Sequence, residues 1–244
     1  MKRDQVMGIH AVEALLKTSP ERLTRVWMQP REGRLMQLHT QLRQAGIAVQ
    51  NCDGRTLDRL SDNVRHQGVI AEFMPRESLD DQGLDQCLDQ SGQPLLLVLD
   101  GVTDPHNLGA CIRSAAAAGA DAVVVPKDRS AGLTPVTRRS SAGATERIPL
   151  ARVTNLARCL RRLAERGLWR VGLDGAAQTS IQQTPLAGPL ALVLGGEERG
   201  MRRLTREHCD QLLCIPMPGA MESLNVSVAA GIALFEAVRG RSAA

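Results

Sequence analysis

The chain has 244 residues, enough for one large domain or two small ones around a substantial core. Hydrophobic residues make up 43% and charged residues 23%, the balance of a soluble globular protein, and no apolar run reaches the ~18 residues a membrane helix needs. The net charge of +4 excludes a strongly acidic protein, and 27 of the 30 cations are arginine, which forks onto phosphate; coding bias toward arginine would leave the same mark.

The opening MKRDQVMGIH carries no apolar stretch of signal-peptide length, so the protein reads as cytoplasmic. The six cysteines form no CxxC pair and have no histidine at zinc spacing, so they read as reduced thiols rather than disulfides or metal ligands.

Residues 1–75 alternate between helical and strand patterns. GIHAVEALLK reads as a helix, RVWMQ as a strand, RLMQLHTQLRQAG as a helix, AVQNC as a strand, GRTLDRLSD as a short helix and GVIAEF as a strand. This is a small α/β domain. Residues 76–93 follow, with one cation against five acids and prolines at both flanks. They have little to bury and read as a linker with one short helix near Leu84–Leu88.

Residues 94–244 carry the stronger pattern. LLLVLD, AVVVP, RIPLARV, WRVGLD, LALVLG and QLLCIPM are apolar runs of strand length, several of them continuous, as in a parallel sheet covered on both faces. Helical segments lie between them: NLGACIRSAAAAGA, NLARCLRRLAERG and a short MRRLTREH. In such sheets ligands bind beyond the carboxyl ends of the strands. Three polar clusters stand at those ends: DGVTDPHNLG after the first strand, GGEERG after the fifth and PGAMESLN after the sixth.

In the first cluster Asn107 can cap a helix, Gly109 permits close approach, and Arg113 projects from a face of small residues. Alone, this reads equally as a capped helix with a solvated arginine. GGEERG is neither a GxGxxG fingerprint nor a P-loop; its paired glycines allow tight backbone approach, and Glu197 is the carboxylate beside them. In the third cluster Ser223, Asn225 and Ser227 crowd the head of the last helix. One of them, Ser223, would serve as the cap, and three imply that the helix head meets a ligand. The basic helix with Arg158, Arg161, Arg162 and Arg166, and the clusters at Arg138–Arg139 and Arg202–Arg206, read as either solvated faces or phosphate contacts. Aromatics are only 2%, so RNA contact would run through phosphates and shape rather than base stacking. No histidine or cysteine forms a catalytic pattern.

NLGACIR, GGEERG and SLNVS together resemble, in order and separation, the three motifs of the SpoU (TrmH-type) family of the SPOUT methyltransferase superfamily. The resemblance covers nearly the whole chain and is weakest over 76–93. It implies an α/β fold: a catalytic domain over 94–244 with a deep C-terminal trefoil knot, and an L30e-like RNA-binding domain over 1–75. It implies S-adenosylmethionine as methyl donor, no metal, a homodimer, and a guanosine 2′-hydroxyl in the peptidyl-transferase region of 23S rRNA, free or in a pre-50S particle, as acceptor. Gly195, Ile215 and Leu224 match cofactor-holding positions. Asn107, Arg113, Glu197, Ser223 and Asn225 match the polar set around the methyl group and the target ribose, with Arg113 as the group acting on the hydroxyl. The same motifs leave open a tRNA acceptor, or a non-catalytic RNA-binding protein of ribosome assembly.

Overall fold

The apolar runs do form strands, and each half of the chain builds its own sheet. A computed structural model describes residues 4–29, 33–197 and 199–242. The chain divides into two compact units, Met1–Arg76 and Glu77–Ala244.

The N-terminal unit runs β1 (Asp4–Met7), α1 (Ile9–Thr18), β2 (Leu23–Met28), α2 (Arg34–Gln44), β3 (Val49–Asn51), α3 (Gly54–Leu60) and β4 (Val69–Phe73). Its sheet has the order β1-β4-β2-β3, with β2 and β3 parallel and the other pairs antiparallel. Val12 and Leu15 of α1 and Leu38 and Leu42 of α2 pack against Val26, Val69 and Ala71 of the sheet. The strand β1 has no counterpart in the sequence reading. DQVM is too short and polar to show a pattern, and it forms by pairing with β4.

The larger unit continues with α4 (Asp81–Asp89), β5 (Leu95–Asp100), α5 (Pro105–Ala117), β6 (Ala122–Pro126), α6 (Pro135–Ser140), β7 (Leu150–Val153), α7 (Leu156–Glu165), β8 (Trp169–Leu173), β9 (Leu190–Gly195), α8 (Arg203–Glu207), β10 (Gln211–Leu213) and α9 (Val226–Ser242). Its six strands are all parallel, in the order β10-β8-β9-β5-β6-β7. Strand pleating explains the continuous apolar runs. Leu95, Leu97, Leu99, Leu192 and Leu194 enter one core with α5 and α9. Leu96, Val98, Ala191 and Val193 enter a second core with α4 and α7. Each fully buried leucine stabilises the unit by about 2 kcal/mol.

Residues 76–93 are not the free linker expected from their composition. Leu79 bridges to Ala151 of β7, and Asp80 accepts a hydrogen bond from Gly83 N to cap α4. Leu84 and Leu88 are buried. Asp81, Asp85 and Asp89 lie along one face of α4 and meet the cations of α7: Arg162 pairs with Asp81 at 2.8 Å and with Asp85, and Arg166 pairs with Asp89. The acidic stretch and the basic helix thus neutralise one another. Arg162 and Arg166 are therefore spoken for within the fold, against the reading of that face as solvated or phosphate-binding.

No helix among the described residues is long and apolar enough to cross a membrane. No cluster of three or more His, Cys, Asp or Glu among them could hold a metal ion.

Candidate active site

The three polar clusters converge at the carboxyl edge of the parallel sheet. Two features of the local chain hold them there. Asp100, at the end of β5, has a fully buried side chain; its carboxylate accepts hydrogen bonds from Arg202 N at 2.8 Å and Arg202 Nε at 2.6 Å. This ion pair draws the segment after β9 back across the sheet end. Gly195, the last residue of β9, meets that returning segment directly, since a Cβ there would stand 2.0 Å from Gly200 C and Met201 N. Only glycine admits so close a backbone crossing.

Asp104, not Asn107, caps α5: its Oδ1 accepts from His106 N, and Pro105 occupies the first turn. Asn107 thereby faces inward instead. Its Nδ2 donates to Glu197 Oε1 at 2.6 Å. Gly109 serves α6 rather than a ligand, for a Cβ there would lie 2.6 Å from Thr137 O. At the other end of the site, Asn225 rather than Ser223 caps α9, accepting from Ser227 N at 2.8 Å and Ser227 Oγ at 2.6 Å. The Asn225 Nδ2 donates to Asn107 Oδ1 at 3.1 Å and to Glu197 Oε1 at 3.0 Å. One residue from each motif therefore joins a three-membered polar ring.

A cavity of about 420 Å³ opens beside the ring. Gly195, Ile215 and Leu224 line it, as do Glu197, Ser223 and Asn225. Leu173, Asp174, Met217 and Glu222 line it too, and sequence reasoning gave them no role. Asp174 and Met217 had a signal, each as the last residue of an apolar strand run, and Glu222 had one as a member of the PGAMESLN cluster. Arg113 stands apart: it is exposed on α5, about 120° around the helix from Asn107, and does not line the cavity. Among the described residues its side chain makes no hydrogen bond or ion pair. Glu198 of GGEERG lies outside the described residues.

Cys111, on the same helix as Asn107, is a buried thiol. Burial pushes Cys111 up to about 12, and the Glu197 charge adds to the shift, so the thiol stays protonated. The expected basic clusters at the strand ends are largely paired within the fold: Arg138 with Glu146 at 2.7 Å, Arg170 with Asp210, and Arg206 with Asp174.

A parallel α/β unit whose sheet end gathers an Asn–Glu–Asn ring beside a glycine-tightened cavity has close relatives. The chain belongs to the SpoU rRNA methylase family, whose model matches residues 94–235, and residues 5–79 match a model for RNA 2′-O ribose methyltransferase substrate binding. Among curated proteins it is 53% identical over 243 residues to the 23S rRNA (guanosine-2′-O-)-methyltransferase RlmB of Photobacterium profundum, covering 99% of each chain. It is 55% identical over 241 residues to the RlmB of Haemophilus influenzae, covering 98% of each. Among solved structures, the SpoU methyltransferase AviRb from Streptomyces viridochromogenes in complex with the cofactor AdoMet superposes with a TM-score of 0.79 at 25% identity, over 99% of this chain and 92% of that one.

Proposed function

We propose that this protein transfers a methyl group from S-adenosylmethionine to the ribose 2′-hydroxyl of a guanosine in 23S rRNA. The observation that carries this reading is the ring of Asn107, Glu197 and Asn225, of which Glu197 and Asn225 line a cavity together with Gly195, Ile215 and Leu224.

The cavity suits the donor. Leu173, Leu194, Ile215 and Leu224 give it apolar walls, while Asp174, Glu197 and Glu222 supply negative charge for a cation. When bound there, S-adenosylmethionine supplies a methyl group on a sulfonium. Gly195, Ile215 and Leu224 would hold it there. Asn107 and Asn225 fix the Glu197 carboxylate, and Ser223 flanks the reacting atoms. The guanidinium of Arg113 offers hydrogen-bond donors and no acceptor. It acts by stabilising the negative charge that grows on the acceptor oxygen as its proton leaves to water. Positioning and electrostatics, rather than a side-chain base, carry the reaction.

The N-terminal unit grips the RNA, which is 23S rRNA near the peptidyl-transferase region, free or within a pre-50S particle in the cytoplasm. The enzyme is a homodimer. Val228 and Phe235 of α9 and Leu224 before it leave an exposed apolar face, and copies of this chain cover it. The deep knot belongs to the C-terminal half, where the chain recrosses the end of β9.

The test is incubation of the purified protein with labelled S-adenosylmethionine and unmodified 23S rRNA, with the product mapped by nuclease digestion and mass spectrometry. One 2′-O-methylguanosine is expected. Label in tRNA alone would keep the chemistry and overturn the substrate, and donor binding without transfer to either RNA would overturn the enzymatic reading. Light scattering of the same sample reads the dimer directly.

A further inference from the structure

A second cavity, of about 440 Å³, lies against the first. Gly196, Glu197 and Gly200 line both, so the Glu197 carboxylate of the polar ring stands at their junction. The volume is within the range of about 300–1,000 Å³ typical of small-ligand sites. Its charged lining divides into groups the fold uses and groups it leaves over.

Arg202 and Asp100 are committed to each other. Arg129 and Arg199 are different. Both are exposed, and among the described residues neither makes a side-chain hydrogen bond or ion pair. Arg129 also holds a left-handed backbone, φ 56°, which costs free energy in a residue other than glycine. The neighbouring backbone fixes it there, with Ala131 N donating to Val102 O at 2.8 Å and Ser130 Oγ donating to the same oxygen at 3.2 Å. This contrasts with Arg138, Arg162, Arg166, Arg170 and Arg206, all in ion pairs.

The carboxylates divide likewise. Asp100 is buried and paired, and Glu197 Oε1 takes two amide donors. Asp104 uses only Oδ1, to cap α5, and its Oδ2 has no partner among the described residues. A carboxylate accepts and cannot donate. The Watson–Crick edge of guanine presents two adjacent donors, N1–H and the 2-amino group, whereas adenine presents an acceptor at N1. Single-stranded bases are read on that edge.

We propose that this second cavity seats the acceptor nucleotide, with Asp104 reading its base as guanine and Arg129 and Arg199 holding its flanking phosphates. The assignment rests on the reading that the first cavity holds the methyl donor. It gives the acceptor ribose a place across Glu197 from the donor and gives the enzyme a base preference that the three motifs do not encode.

The test uses the full-length protein and 23S rRNA-fragment transcripts carrying guanosine, inosine or adenosine at the mapped position. Asp104→Asn keeps the helix cap, because Asn caps as well as Asp. An unchanged melting midpoint and unchanged S-adenosylmethionine affinity confirm intact folding. Wild-type transfer should fall from guanosine to inosine to adenosine. In Asp104→Asn the guanosine-to-adenosine ratio of kcat/KM should shrink by roughly tenfold, because the substituted Nδ2 donor replaces the free acceptor Oδ2 that faces the guanine donors. A preserved ratio would overturn the role of Asp104. Arg129→Ala with Arg199→Ala should lower the salt dependence of RNA binding, each lost phosphate contact removing about 0.7 from the log–log slope. An unchanged slope would overturn the phosphate contacts. Failure of the wild type to methylate any transcript would instead sink the donor reading, and this assignment with it.

Discussion

Asn225 has two jobs that one substitution can separate. Its Oδ1 caps α9, and its Nδ2 donates to Glu197 Oε1 at 3.0 Å and Asn107 Oδ1 at 3.1 Å. Asn225→Asp keeps the capping oxygen and turns the donor into a second carboxylate oxygen facing Glu197. Two unit charges ~3 Å apart repel by about 5 kcal/mol at an effective dielectric of 20, and by about 1.4 kcal/mol in water. Both side chains face solvent, which places the cost near the lower bound, about 1–2 kcal/mol. For a unit of this size that is a fall of roughly 2–8 °C in the melting midpoint. The cost exists only while both carboxylates are ionised, so one of them takes up a proton at a higher pH than it would in the unfolded chain. The penalty is therefore full well above that raised value and gone below the unfolded value of about 4. Asn225→Ala loses both the cap, about 1 kcal/mol, and the two donations to Asn107 and Glu197, but it brings no new charge, so its offset changes much less with pH. Thermal unfolding of both variants and the wild type from pH 4.5 to 8 decides the matter. The Asp variant should approach the wild type as pH falls, while the Ala variant stays offset throughout. Parallel offsets for both variants would refute the assignment of the polar ring.

Arg113→Ala should reduce kcat by at least a hundredfold while S-adenosylmethionine affinity, read by equilibrium dialysis, stays within about twofold. Ser223→Ala should leave the melting midpoint within about 1 °C, because Asn225 supplies the cap. Replacing Asp81, Asp85 and Asp89 together by Asn should destabilise the larger unit by about 1–2 kcal/mol in low-salt urea titrations, and by less in 1 M salt. Alkylation of the folded protein at pH 8 should spare Cys111 and Cys159, since burial pushes both thiols up to about 12; mass spectrometry of the digested product reads this site by site.

The strands of the larger unit were legible because a buried parallel strand needs apolar residues on both faces, and LLLVLD, AVVVP and LALVLG supply them. The convergence of the site was not legible from spacing. Asn107, Glu197 and Asn225 meet only because β5 and β9 are neighbours in the sheet, a pairing between strands some ninety residues apart. The two caps were misplaced for a common reason: DPHN and SLN each offer more than one capping side chain, and the register of the first turn selects among them. α6 was missed because PVTRRS carries too few apolar positions to show a period. In 76–93 the signal was present but split. Leu84 and Leu88 repeat at helical spacing, and so do Asp81, Asp85 and Asp89, yet the acids acquire meaning only beside the arginines of α7.

The bridge from Leu79 to β7 bears on how the unit survives in a crowded solution. β7 is a border strand, and a border strand offers unpaired backbone to any passing chain. Here Leu79 N donates to Leu150 O at 2.9 Å, and Arg152 N donates to Leu79 O at 2.8 Å. The border is thus sealed by residues that lie before the first strand of the unit, with α4 packed beside them. A fragment cut to begin at Pro94 would keep every motif and lose that seal, leaving β7 open to self-association. A fragment beginning at Glu77 carries its own protection against aggregation.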